Sequence, residues 1–394
     1  MTRKFLCFLL IILCVSFALA NEMSVAFYYG PGIPLDKLAG ADIVVVQPNV
    51  VKSPRQFSQY DTEFAAYMSI GEVSPSVNYY SKISKDWIIG KVDGWKTEIL
   101  DQTNPQWHEY FIAKIFNPLW KRGYRTFFLD TVDAYTLVTS DQEELSQQRL
   151  GLESLIAEMK AIHPEAKFIL NRGFDLLPNI HNFIFAVTAE SLFQTWEGKD
   201  KQYAEVSEET SKALLKKLRF VEEEYNMPII VIDYVNPKHA LLGMKTAKKI
   251  RDLGFIPWVS DVHLTQVGHS SATVIPRKVA VLYDLATAPN LSETSPARFI
   301  SMPLENLGYE PVFFDVSKSL PENLSSLEYA GVVMWLSSDS VGQVHTLRTW
   351  LLDQINRGIH VAILDHFGFS NLSSSLKAFG FTTKSKKKIL LRLR

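Results

Sequence analysis

The chain has 394 residues, 47% of them hydrophobic and 21% charged, with a formal net charge of −1. That mix belongs to a folded protein with a sizeable core, excludes a disordered or polytopic membrane chain, and at this length suggests two domains. Leaving aside the first twenty residues and the six Lys and Arg of Lys384–Arg394, the body carries 33 basic against 42 acidic residues, which excludes nucleic acid as a partner held by bulk electrostatics.

Residues 1–20 read as a cleaved signal peptide. Arg3 and Lys4 precede the apolar run Phe5–Phe17, and Ala18-Leu19-Ala20 supplies the small-x-small pattern read by a signal peptidase, with cleavage after Ala20. A run of thirteen residues, apolar but for Ser16, falls short of the roughly 20 that span a bilayer, so the expected product is periplasmic or secreted, with no stable membrane insertion. Cys7 and Cys14 both lie inside this segment. The mature protein therefore has no thiol for a disulfide, a metal site or a nucleophile.

Eight short apolar runs follow, over Ser24–Tyr29, Asp42–Gln47, Phe64–Ile70, Arg125–Asp130, Lys167–Arg172, Phe183–Glu190, Pro228–Asp233 and Phe255–Val259. Most are continuously apolar rather than alternating, the pattern of parallel strands buried on both faces. Amphipathic segments at Gln106–Lys121, Gly151–Ile162, Ser207–Tyr225 and Lys238–Leu253 predict helices between them. The connections between the first three runs are shorter and less clearly helical. Eight βα units over residues 21–270 predict a (β/α)8 TIM barrel. A doubly wound dinucleotide fold is the rival, but the loop after the first strand is interrupted by Pro34 and lacks the Gly-rich fingerprint.

A second β/α pattern occupies residues 271–381. Its strands are predicted at Lys278–Tyr283, Pro311–Val316, Gly331–Leu336 and His360–Leu364, and its helices at Pro296–Leu307 and Val341–Asn356. This is a partial flavodoxin-like α/β domain, one strand short of the usual five. Residues 382–394 form a basic tail without periodicity.

Barrel enzymes keep their chemistry at the carboxyl ends of the strands. The acids there are Glu72, Asp130, Asp133, Glu190, Asp233 and Asp261, and the aromatics at the same rim are Tyr28, Tyr67, Tyr135, Trp196, Tyr234 and Trp258. One strand-end acid is an ordinary turn residue. Several convergent acids beside aromatic faces suit a carbohydrate, whose C–H surface packs on rings. Glycoside hydrolysis needs two carboxyl groups across one bond. Asp130 ends the fourth apolar run and Glu190 the sixth, so strands two apart can present them to each other. No His-x-x-x-His pair or Gly-x-Ser-x-Gly elbow occurs, and neither a metal nor a cofactor is expected.

The segments Tyr67-Met68-Ser69-Ile70-Gly71-Glu72, Phe128-Leu129-Asp130-Thr131-Val132-Asp133, Asn171-Arg172-Gly173, Glu190-Ser191-Leu192-Phe193 and Asp233-Tyr234 occur in order. Together they resemble the endo-α-1,4-galactosaminidase group, glycoside hydrolase families 114 and 166, over Ser24 to His269. The resemblance implies endo-cleavage of an α-1,4-linked galactosamine or N-acetylgalactosamine exopolysaccharide of the Pel type during biofilm matrix production or processing. It implies Asp130 as nucleophile and Glu190 as general acid/base, with a retaining outcome. Tyr28, Tyr67, Glu72, Asp133, Arg172, Trp196, Asp233, Tyr234 and Trp258 are the expected substrate-binding residues. The implied partners are the galactosamine-rich polymer and the proteins of a Pel-type synthesis and export complex. The alternative reading is a non-catalytic polysaccharide-binding or export module of such a complex.

Overall fold

The computed structural model describes residues 23–368, apart from 93, 95, 199, 201, 271–275, 323, 326, 327 and 340–343. The signal peptide and the basic tail predicted at the two ends lie outside the described residues. Two compact units are present: residues 23–235 with 245–270, and residues 236–244 with 276–368.

The first unit is a barrel. Its strands are β1 (Val25–Tyr28), β2 (Ile43–Val46), β3 (Glu63–Ser69), β4 (Thr126–Asp130), β5 (Lys167–Asn171), β6 (Ile184–Glu190), β7 (Ile229–Tyr234) and β8 (Ile256–Ser260). They are hydrogen-bonded in that order, and every pair is parallel. All eight predicted strands are present because each is apolar on both sides. One side fills the barrel and the other meets the helices. Register separates the two sides. Tyr67 pairs with Phe128 and Ser69 with Asp130, so these residues face the interior, where Phe128 meets Phe27 edge-on at 5.1 Å. Phe127 points the other way, onto Phe116 and Trp120 of the helical layer. The seam between β8 and β1 has no ladder. A hydrogen bond of 2.7 Å from the Tyr29 N–H to the Leu264 carbonyl spans it, and the short antiparallel strand His269–Ser270 extends β8 instead.

The helices depart from prediction in informative ways. The helix read from Gly151 begins at Gln142 and runs to Ile162, capped by Asp141, whose side chain accepts from the Glu143 and Glu144 N–H groups. The added residues, Gln142–Leu150, are mostly polar, so periodicity missed them. Gly151 is mid-helix because a Cβ there would lie 2.0 Å from the Gln102 carbonyl oxygen. The segment Pro105–Arg122 is helical throughout but holds a π-helical stretch at Ile112–Phe116, just before Pro118 removes an amide donor. The links from β1 to β2 and from β2 to β3 carry only single turns, Leu35–Leu38 and Pro54–Phe57.

Two small sheets went unpredicted. The strands Glu72–Val73, Ile88–Val92 and Thr97–Leu100 form an antiparallel sheet after β3, and Gln194–Glu197 pairs with Gln202–Glu205 in a hairpin after β6.

The second unit is a partial flavodoxin-like sheet of four parallel strands. Their order is Glu310–Asp315, Lys278–Tyr283, Tyr329–Leu336 and His360–Asp365. The helix predicted over Pro296–Leu307 is two, Ser295–Phe299 and Ser301–Asn306, because Pro303 cannot donate to the carbonyl one turn back. The helix Val344–Asn356 is present, while the predicted start at 341–343 lies outside the described residues. Among the described residues no helix is long and apolar enough to cross a membrane.

Candidate active site

Three consecutive interior strands end on polar side chains at the carboxyl-terminal mouth: Asp130 on β4, Asn171 on β5 and Glu190 on β6. Each is followed by a non-glycine residue in left-handed backbone, Thr131 (φ 61°), Arg172 (φ 57°) and Ser191 (φ 62°). A β-branched residue there is costly, and hydrogen bonding holds Thr131 in place. Its hydroxyl donates to the Asp130 carbonyl at 2.6 Å and accepts from the Gly71 and Glu72 N–H groups at 3.0 and 3.1 Å. Gly71 is required at this contact, since a Cβ would sit 2.0 Å from the Thr131 carbonyl oxygen. The β3 and β4 ends are thereby fastened together beside Asp130.

The Asp130 carboxylate accepts three bonds. The Tyr67 hydroxyl donates to Oδ2 at 2.8 Å, while the Thr131 N–H and Asn171 Nδ2 donate to Oδ1 at 2.8 and 2.7 Å. Glu190 Oε1 accepts from the same Asn171 Nδ2 at 2.7 Å, and Oε2 accepts from the Tyr234 hydroxyl at 2.5 Å. Burial raises the Glu190 carboxyl above the ordinary range, and the Asp130 charge raises it further. The bonds from Tyr234 and Asn171, and the Arg172 charge, pull it back. Burial and the two carboxylates hold the phenols of Tyr29, Tyr67 and Tyr234 well above their usual range, so all three remain proton donors at neutral pH.

Glu72 lies beside this group. The Thr97 hydroxyl donates to its carboxylate, and burial raises it, with Asp130 and Asp133 adding to the rise. Asp133 is exposed on the rim. Trp196 is half-buried on the β6 hairpin, where it meets Tyr203 edge-on at 4.8 Å. The Tyr203 hydroxyl accepts from the Val262 N–H at 3.4 Å, linking the hairpin to the loop after β8.

Three expected ligands are corrected. Tyr28 shares register with Val46, Ala66 and Phe127, which puts it on the helix-facing side of β1. Its neighbour Tyr29 is the residue that feels both Asp130 and Glu190. Asp233 lies one residue out of phase with Tyr234 and is fully buried. Its two oxygens accept from the N–H groups of Leu192, Phe193 and Gln194 at 2.7–2.8 Å, so it ties down the loop that follows Glu190. Burial pushes its carboxyl up to about 6 against the pull of those donors. Trp258 faces the interior in register with Ile232 but is 2% exposed, so it fills the barrel below the mouth. Arg172 is half-buried and donates to the Glu190 carbonyl at 3.1 Å, bracing that strand end, while its charge acts on the carboxyls of Glu190 and Asp133. Asp261, the remaining strand-end acid, is buried and accepts from the N–H groups of His263, Thr265 and Gln266. Asn171 and Tyr29 were missed. The Asn171-Arg172-Gly173 segment marks the position in the sequence, where the charged side chain is the more conspicuous. Among the described residues no group of three or more His, Cys, Asp or Glu side chains converges on a metal position.

A parallel barrel with two carboxylates bridged at its carboxyl-terminal mouth has the architecture of a glycoside hydrolase. The family model described as glycoside hydrolase family GH114 matches residues 21–276, and the chain belongs to that family. Among solved structures it is similar to the glycoside hydrolase domain of PelA from Pseudomonas aeruginosa. The identity is 28% and the TM-score 0.58, with 63% of this chain and 98% of that one covered. A variant of the same domain matches to the same extent. Ega3 of Aspergillus fumigatus, in complex with galactosamine, is 13% identical with a TM-score of 0.48, covering 64% of this chain and 97% of that one. No curated protein sequence matches this chain.

Proposed function

We propose that the barrel is a retaining endo-glycosidase that cleaves α-1,4-linked, galactosamine-rich exopolysaccharide of the Pel type. The observation that carries the stereochemistry is the shared Asn171 nitrogen. Two bonds of 2.7 Å to one atom keep the nearest oxygens of Asp130 and Glu190 within twice that distance. So close an approach supports the roughly 5–5.5 Å carboxyl separation of a covalent mechanism over the roughly 6.5–9.5 Å that leaves room for an attacking water. In the first step Glu190 gives its proton to the glycosidic oxygen as Asp130 attacks the anomeric carbon, and the C–O bond to the leaving sugar breaks. In the second step Glu190, now a carboxylate, takes a proton from water, and the hydroxide displaces Asp130 from the sugar.

The electrostatics support a cationic substrate. Four carboxyl groups, Glu72, Asp130, Asp133 and Glu190, stand around the mouth against the guanidinium of Arg172, whose charge acts on Glu190 and Asp133. Protonated amines of a deacetylated polymer are attracted to such a rim. Export through the amino-terminal signal would put the enzyme where the polymer is made or processed, beside the proteins of a Pel-type complex. Incubation with defined galactosamine oligomers, followed by mass analysis, is expected to give internal cleavage products. Binding without release of shorter oligomers would leave only a carbohydrate-binding barrel.

A further inference from the structure

The Asn171 amide is placed where chemistry requires a particular polarity. It is 7% exposed, and its Nδ2 spends both hydrogens on carboxylates from different strands. Its own Oδ1 is buried and accepts no hydrogen bond from the described residues. The two carboxylates therefore fix the orientation of the amide, since turning it over would set a third acceptor against them.

This has a consequence for Glu190. Its Oε1 faces an amide nitrogen that can only donate, whereas its Oε2 faces the Tyr234 hydroxyl, which can donate or accept. A proton on Oε1 would point at an N–H. A proton on Oε2 is accommodated by rotating one hydroxyl.

We propose that Asn171 is a positioning residue that holds Asp130 and Glu190 at one spacing and directs the catalytic proton to Glu190 Oε2. The inference rests on the acid/base role of Glu190 in the proposed function. Besides Asn171, the groups that act on the Glu190 carboxyl are Asp130 from β4, Arg172 beyond β5 and Tyr234 from β7, and Glu190 in turn acts on Tyr29 beyond β1 and Tyr67 from β3. Of all these, only Asn171 donates to both carboxylates.

The sign of the effect follows from what the amide stabilises. Its N–H bond favours the charged form of Glu190. Without it the carboxyl holds its proton to higher pH, so the descending limb of kcat/KM, which reports loss of that proton from the free enzyme, moves to higher pH.

The test uses Asn171→Ala and the isosteric Asn171→Asp, with two readouts. One is the pH profile of kcat and kcat/KM on a galactosamine oligomer. The other is a ¹³C NMR titration of the Glu190 carboxyl, identified by its disappearance in Glu190→Gln. Both variants are expected to raise the Glu190 midpoint, Asn171→Asp because it replaces a donor with a third carboxyl. In Asn171→Ala, kcat falls about 10²-fold through misplacement of the pair, while KM changes less. Asn171→Asp keeps the shape of the side chain and carries the comparison if Asn171→Ala does not fold. A Glu190 midpoint and descending limb that stay at their wild-type positions would overturn the inference, even if stability fell. Wild-type enzyme that cleaves no galactosamine oligomer would instead refute the functional reading, and the NMR titration would still decide the role of Asn171.

Discussion

Glu190→Gln is expected to lower kcat on a galactosamine oligomer by about 10²–10⁴-fold, the usual contribution of a positioned general acid, with the barrel intact. The amide cannot supply a proton, yet it keeps the length and the acceptor oxygen of the native side chain. Stability should hold or rise. The substitution removes a carboxyl raised by burial and by the nearby Asp130 charge, and sites tuned for catalysis commonly gain stability when such groups are neutralised. The loss should depend on the leaving group. A substrate whose leaving group needs no protonation, such as a glycosyl fluoride, bypasses the first task of Glu190 and should show a burst of released fluoride. Slow turnover follows, because water still lacks its base. Steady-state kinetics and a thermal melt check both parts. Full activity on oligomers would remove Glu190 from the mechanism.

Asp130→Asn should be more severe, at least about 10⁴-fold, and it should not be relieved by a better leaving group. A nucleophile has no substitute once the mechanism runs through a covalent intermediate. The structural cost is modest. Asp130 accepts from Tyr67, Thr131 and Asn171, and an asparagine keeps one acceptor oxygen while turning an N–H₂ toward the remaining donors. About 1–3 kcal/mol is expected from the mismatch. The two variants thus separate on the fluoride substrate: Glu190→Gln retains a burst and Asp130→Asn has none. Equal behaviour of both would mean that the two roles are assigned wrongly.

The barrel was legible because parallel strands are apolar on both faces, so most of the eight announce themselves as nearly uninterrupted apolar runs. Asp130 and Glu190 stand directly after such runs. The phase of the pleat was less legible. Tyr28 and Tyr29 are adjacent, as are Asp233 and Tyr234, and in each pair only the second reaches the mouth. An alternating side chain changes face with one residue, and a run with no polar alternation gives no clue to which face is which. Asn171 is hard to read from sequence for a different reason. An amide carries no charge, and its importance lies in donating to two acids contributed by neighbouring strands on either side, a relation that exists only in three dimensions. The small sheet over Glu72–Leu100 and the hairpin Gln194–Glu205 are hard to read because their strands are short and most are half-exposed, without a clean period-2 pattern.

The residues at the mouth divide by what they hold. Asp233 and Arg172 fix the backbone that follows and carries Glu190, Thr131 fixes the backbone beside Asp130, and the tyrosines Tyr67 and Tyr234 give one donor to each acid. The carboxylates are thus set by neighbours on four strands or their ends, which is the rigidity that a covalent mechanism needs at both of its steps.

The central claim is that a closely spaced carboxylate pair works through a covalent intermediate, and the configuration of the first product tests it most directly. Proton NMR of a galactosamine oligomer during the first minutes of cleavage should show the new reducing end appearing as the α-anomer, with the β-anomer growing later by mutarotation. Initial appearance of the β-anomer would mean single displacement by water and would contradict the account.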